Sequence, residues 1–116
     1  MTLHSWNEIE REQMNALVVR QAVHGIHLTI ARLEMKEGAT VPTHHHVNEQ
    51  MTVMLSGRLR FVFPDKTVEV AGGEVMEIAP HLPHSVIALE DSVAIDVFSP
   101  VREDWRRGDD AYLRGQ

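Results

Sequence analysis

The chain has 116 residues, no cysteine and a formal net charge of −6. A chain of this length makes one domain with a core that needs no staples, and without cysteine it has neither a disulfide framework nor a thiolate metal site. The acidic balance argues against a nucleic-acid partner, which needs a basic surface.

In chain order, the start Met1-Thr2-Leu3-His4-Ser5-Trp6 lacks a basic stretch followed by an apolar block, so no signal peptide is expected. No apolar run approaches the ~20 residues that span a bilayer. The expectation is a cytoplasmic protein with no membrane partner. Residues 1–14 read as a lead-in, in which Ser5-Trp6-Asn7-Glu8 fits a capping box that can start a helical turn. Leu17 to Val23 reads as a strand ended by His24-Gly25. Ile26 to Met35 reads as another, with Ile26, Leu28 and Ile30 on one face and His27, Thr29 and Ala31 on the other. Neither His24 nor His27 has a partner at ligand spacing. Lys36 to Thr40 is a turn.

The chain then reaches Thr43-His44-His45-His46-Val47-Asn48-Glu49-Gln50. Successive side chains of a strand point to opposite faces, so His44 and His46 share a face and His45 points away. Gln50 has the same parity unless a bend near Val47-Asn48 breaks the count. Two imidazoles at this spacing are half of a metal site. The best further donor is His84, which two prolines present in Ala79-Pro80-His81-Leu82-Pro83-His84.

Met51 to Ser56 is a mostly apolar run broken by Gly57. Arg58 to Phe63, Thr67 to Val70, Glu74 to Ile78, Val86 to Leu89 and Val93 to Phe98 follow, separated by turn residues. Short strands with turn signals about every eight to twelve residues, and no convincing amphipathic helix, indicate an all-β sandwich or barrel. Several strands are apolar on both faces and need cover on both. No helix is available outside, so a homodimer is expected to bury the outer face. The last sixteen residues, 101–116, hold four arginines and four acids with Trp105, Tyr112 and Leu113 among them. They read as a charged surface tail or one helical turn, with the aromatics docked on the body.

Asp96 and Phe98 share one strand face, and Ile95 and Val97 the other. A lone aspartate in an apolar strand points into a polar cavity or at a salt-bridge partner. Arg102 follows a proline turn and can fold back over a barrel mouth. A metal, a carboxylate, an aromatic wall and an arginine together suit a small anionic substrate. The competing reading is that Asp96 pairs with Arg102 and Phe98 is core.

The spacing Gly38, His44-x-His46, position 50, Gly57, followed by Gly73, Pro80, Pro83 and His84, resembles the two motifs of the small single-domain cupins. The resemblance implies one cupin domain over 1–116, a double-stranded β-helix (jelly-roll) barrel with a divalent metal inside. Position 50 is glutamine where those motifs have glutamate. Glu49 has the wrong parity and stands one residue short, so His44, His46, Gln50 and His84 form the expected ligand set. All four are neutral, so the ion keeps its full double charge, acts as a Lewis acid and attracts anions. Nickel, zinc, iron, manganese, cobalt and copper all suit nitrogen-rich ligands. The string His-His-His-x-x-Glu-Gln, with Ile95-Asp96-Val97-Phe98-Ser99-Pro100-Val101-Arg102-Glu103-Asp104, is similar to the KdgF-type cupins. That similarity implies linearisation of 4,5-unsaturated uronate monosaccharides in pectin and alginate breakdown. It gives Asp96 a role in proton transfer, Phe98 a packing role against the sugar ring, and Arg102 a two-pronged grip on the substrate carboxylate. The alternatives are a dioxygenase or isomerase acting on another small acid, or a non-catalytic sugar- or effector-binding module.

Overall fold

The computed structural model describes residues 1–114. After a 3-10 turn at Trp6–Glu8 come ten strands: β1 Glu12–Asn15, β2 Val18–His24, β3 Thr29–Met35, β4 Thr40–His44, β5 Glu49–Ser56, β6 Arg58–Val62, β7 Thr67–Ala71, β8 Val75–Ile78, β9 His84–Ala88 and β10 Ser92–Ser99. Two one-turn helices follow, α1 Glu103–Arg106 and α2 Ala111–Arg114. The strands form a six-stranded sheet, ordered β1-β2-β3-β10-β5-β8, and a four-stranded sheet, ordered β4-β9-β6-β7. All pairings are antiparallel. The all-β barrel expected from the sequence is the fold observed.

Period-two alternation sets what faces the interior. Strand β10 buries Ser92, Ala94, Asp96 and Phe98, and β5 buries Gln50, Thr52 and Met54. The register places Asp96 opposite Thr52 and Phe98 opposite Gln50, with Ala31 and Thr29 across on β3. From the four-stranded sheet Leu59, Phe61, Val86, Ala88 and His84 point inward. The interior is therefore graded. Met35, Met54, Leu59 and Ala94 pack one end, while Thr29, Gln50, Thr52, His84 and Asp96 make the other end polar.

Gly57 closes the β5–β6 turn at φ 85°. A Cβ there would lie 2.6 Å from Ser92 Cα, so the position requires both glycine's positive φ and its missing side chain.

Several local expectations change. The strand expected over Ile26 to Met35 starts only at Thr29, because residues 25–28 form the hairpin turn and Ile26 and Leu28 are exposed. Strand β1 begins inside the stretch read as a lead-in, and β4 starts at Thr40, read as part of a turn, and ends at His44, short of His46. The Ser5 turn forms without a side-chain cap hydrogen bond. The C-terminal stretch is more than a surface tail. Val101, Arg102, Trp105, Asp110 and Leu113 are buried. Arg20 pairs with Glu12 and Asp110, Arg114 with the same two acids, and Asn15 Nδ2 donates to the Leu113 carbonyl. These contacts tie the segment across β1 and β4, at the open edges of the two sheets.

Candidate metal centre and substrate cavity

The three histidines come from two neighbouring places. His44 ends β4, and His84 starts β9 directly opposite it. His46 lies past the end of β4, in the bend before β5. Strand parity therefore does not bring His46 to His44; the bend does. One ring nitrogen from each of His44, His46 and His84 lies within 4.8 Å of the others. His45 is exposed, as is Glu49, whereas Gln50 is buried.

Backbone hydrogen bonds fix the tautomer of every ring. His44 Nδ1 lies 2.9 Å from the Pro42 carbonyl, His46 Nδ1 3.0 Å from that of Asn48, and His84 Nδ1 2.8 Å from that of Leu82. A carbonyl only accepts, so each Nδ1 carries the proton and each Nε2 presents a lone pair. Burial then keeps the rings neutral. It holds the pKa of His44 and of His46 down to about 4 and lowers that of His84. Neutral rings with one nitrogen anchored to backbone are what a metal ligand requires.

The amide of Gln50 lies beside these rings, and one contact tests whether it fits the same ion. Gln50 Oε1 lies 3.0 Å from His46 Nε2. Gln50 Nε2 donates to Thr52 Oγ1 at 3.0 Å, and Thr52 Oγ1 donates to Asp96 Oδ1 at 2.6 Å. In this arrangement His46 Nε2 and Gln50 Oε1 face each other as two acceptors with no proton between them. A shared cation resolves that conflict. Two ligand atoms about 2.1 Å from one ion, and at right angles, sit about 3.0 Å apart. The donor set fits a divalent metal with nitrogen and oxygen ligands.

Asp96, Phe98 and Arg102 line the same cavity as His44, Gln50, Thr52 and His84. Asp96 is 7% exposed, and burial pushes its pKa up to about 6 against the stabilising hydrogen bond from Thr52. Arg102 is 2% exposed. Its Nε and Nη2 donate to the two carboxylate oxygens of Asp104, and Nη2 also donates to the Tyr112 hydroxyl. Asp96 and Arg102 therefore do not pair. The guanidinium fork expected to grip a substrate is occupied by Asp104, and among the described residues only Nη1 is left without a partner. Phe98 meets the edge of His46 at 5.7 Å and carries the Arg102 guanidinium 4.6 Å from its ring centre.

The family model described as the cupin domain matches residues 31–98. The chain belongs to the cupin family. Among solved structures, the cupin resembles KdgF from Halomonas sp. at 24% identity, covering 85% of this chain and 94% of that one, with a TM-score of 0.79. It resembles an RmlC-like cupin from Shewanella frigidimarina NCIMB 400 at 22% identity, covering 90% and 96%, with a TM-score of 0.83. It also resembles the polyketide cyclase RemF from Streptomyces resistomycificus at 20% identity, covering 86% and 79%, with a TM-score of 0.73. No curated protein matches the chain. Likeness at these identities establishes the fold, and neighbours as different as these do not fix the reaction.

Three residues of this cupin's site were missed in the sequence. Thr52 lies two residues beyond Gln50 and so shares its inward face, a signal that period-two counting contains. Asp104 and Tyr112 gave no such signal, because their positions depend on how the C-terminal segment folds back. His24, set aside as a ligand, bonds Thr29 Oγ1 through Nδ1. No helix among the described residues is long and apolar enough to cross a membrane.

Proposed function

We propose that this cupin is a metal-dependent enzyme that opens the ring of 4,5-unsaturated uronate monosaccharides. The observation that carries this reading is the meeting, in one cavity, of a neutral histidine–amide donor set with a buried carboxylate of raised pKa and a buried guanidinium. His44, His46, Gln50 and His84 would hold the ion. Bound there, it would supply Lewis acidity toward the oxygens of an anionic substrate.

The remaining chemistry belongs to the chain. Ring opening breaks the bond between C1 and the ring oxygen as the C1 hydroxyl loses its proton. The freed ring oxygen takes a proton, giving an aldehyde and an enol at C5, and a proton added at C4 with loss of the enol proton leaves the ketone. The sum is an isomerisation, and all its steps are proton transfers around one bond cleavage. Asp96, with a pKa of about 6, can both take and return a proton near neutral pH. Arg102 contributes fixed positive charge and the Nη1 donor for the substrate carboxylate. Phe98 holds that guanidinium in place and presents an apolar edge.

Loss of ultraviolet absorbance from an unsaturated uronate tests the reading. Turnover should require metal, stop with chelator and fall at least ~10²-fold in Asp96→Asn at unchanged metal content. Turnover that survives chelation, or Asp96→Asn at wild-type rate, would refute it.

One observation favours a second reading, an enzyme for a smaller acid. The free volume of this cavity is about 50 Å³, against ~300 Å³ or more for ordinary ligand pockets. Oxygen uptake or decarboxylation with two- and three-carbon acids, and none with uronates, would decide for it.

We also propose that a second copy of the chain covers the outer face of the six-stranded sheet. Val97 pairs there with Ile30 and Met51, Ile95 with Val53, and Val53 with Val75. This gives a continuous apolar band in which Ile30, Met51 and Val75 are exposed. A band of this kind on a soluble domain marks an interface.

A further inference from the structure

Tyr112 is the single tyrosine of the chain. Its ring stacks on the His44 imidazole, with centroids 4.6 Å apart and planes at 28°. It lines the cavity together with Gln50, Asp96 and Arg102.

Its hydroxyl oxygen accepts two hydrogen bonds, from Arg102 Nη2 at 2.7 Å and from Trp105 Nε1 at 3.0 Å. Neither partner has any acceptor, because a guanidinium and an indole N–H only donate. The direction of both bonds is therefore settled, and the phenol proton takes part in neither. Among the described residues no oxygen or nitrogen receives that proton. The phenol is also held in place. Arg102 and Arg20 each lie over the Trp105 ring, at 4.3 and 4.4 Å from its centre. The ion pairs of Asp110 and Arg114 anchor α2 on either side of the tyrosine.

We propose that Tyr112 is a ligand-contacting residue whose hydroxyl donates to a carboxylate or hydroxyl oxygen of the acid held in the cavity, next to Nη1 of Arg102. The inference rests on the reading of this cavity as a small-acid site. It replaces the guanidinium fork, which Asp104 occupies, with a mixed pair of donors: one N–H from Arg102 and one O–H from Tyr112. A carboxylate, which only accepts and has two oxygens, matches such a pair.

The test uses metal-loaded protein with its one tyrosine labelled at Cζ with carbon-13. D-galacturonate is the probe; it has no 4,5 double bond and is not a substrate for the ring opening. The Cζ resonance should shift saturably as the acid is added, and the calorimetric Kd should weaken about tenfold in Tyr112→Phe at equal metal content. A tyrosine that only supports the fold would lower the Tm of the variant and leave the Kd unchanged. The inference is overturned by a Kd within twofold of wild type, by a Cζ resonance that stays still while calorimetry records binding, or by no binding of the acid at all. Tyr112→Phe strands two buried donors and costs stability, but the resonance is read on the wild-type chain. Failure to consume an unsaturated uronate, with the Cζ shift observed, would count against the proposed reaction and leave this inference standing.

Discussion

Replacing Thr52 by valine tests the link between the proposed metal ligand and the buried acid. Thr52 is 1% exposed. Its hydroxyl accepts from Gln50 Nε2 at 3.0 Å and donates to Asp96 Oδ1 at 2.6 Å. Valine keeps the shape and removes both bonds. Each buried polar group left without a partner costs about 1–3 kcal/mol, so Thr52→Val, which strands two, should lose about 2–6 kcal/mol. For a domain of this size that lowers Tm by about 8–24 °C. Freed from Thr52, the Gln50 amide is no longer oriented with Oε1 toward His46. Loss of such an orienting partner weakens metal binding by about 10–100-fold. Asp96 also loses the donor that favours its charged form, so its pKa should rise above the wild-type value of about 6. Calorimetric melting, and competition with a chelator of known affinity, measure the first two effects. Thr52→Ser keeps the hydroxyl and should restore both. A Thr52→Val protein with wild-type Tm and wild-type metal affinity would refute the reasoning.

Three further outcomes follow from the same geometry. The metal-free protein should lose stability as pH falls from 7 to 5. His44 and His46 have folded pKa values of about 4, below their unfolded values, so the unfolded chain takes up protons first. Asp96, raised to about 6, acts in the opposite sense and favours the fold as pH drops below that value. With solvent screening of the half-buried rings, the net loss should be about 1–2 kcal/mol in urea titrations, and a flat or rising midpoint would contradict it. Gly57→Ala should cost at least about 2 kcal/mol in the same assay, since it places a Cβ against Ser92 at a positive φ; a smaller loss would show that the turn can shift. Light scattering should give about twice the 13.2 kDa of one chain, and Val53→Arg should halve that mass; a wild-type monomer would remove the second copy from the account.

Most of the barrel was legible because its signals are local. Alternation along β10 and β5 put Asp96, Phe98 and Gln50 on the inward face, and turn residues marked the breaks between strands. The glycine and histidine spacings pointed to His44, His46 and His84, which the structure brings together. The bend at residues 45–48 shows where local reasoning ran out. Parity paired His46 with His44, but His46 reaches the site from outside any strand, by a route that parity does not describe. The C-terminal segment shows the same limit more strongly. Arg102, Asp104, Trp105 and Tyr112 lie within eleven residues, and their segment is set in place by long-range contacts of Trp105 with Arg20, of Tyr112 with His44, and of Asp110 and Leu113 with Arg20 and Asn15. Nothing in the local pattern of charges and aromatics distinguishes a solvated tail from a cavity wall.

The central claim is that three neutral imidazoles and one amide share a single divalent ion. Elemental analysis of the purified chain, paired with X-ray absorption at the edge of whatever metal is found, tests it most directly. The account predicts one ion per chain in a shell of nitrogen and oxygen only, lost when His44 and His84 are both replaced by alanine. An ion that stays bound in that double variant, or a wild-type chain that takes up no divalent metal, would contradict it.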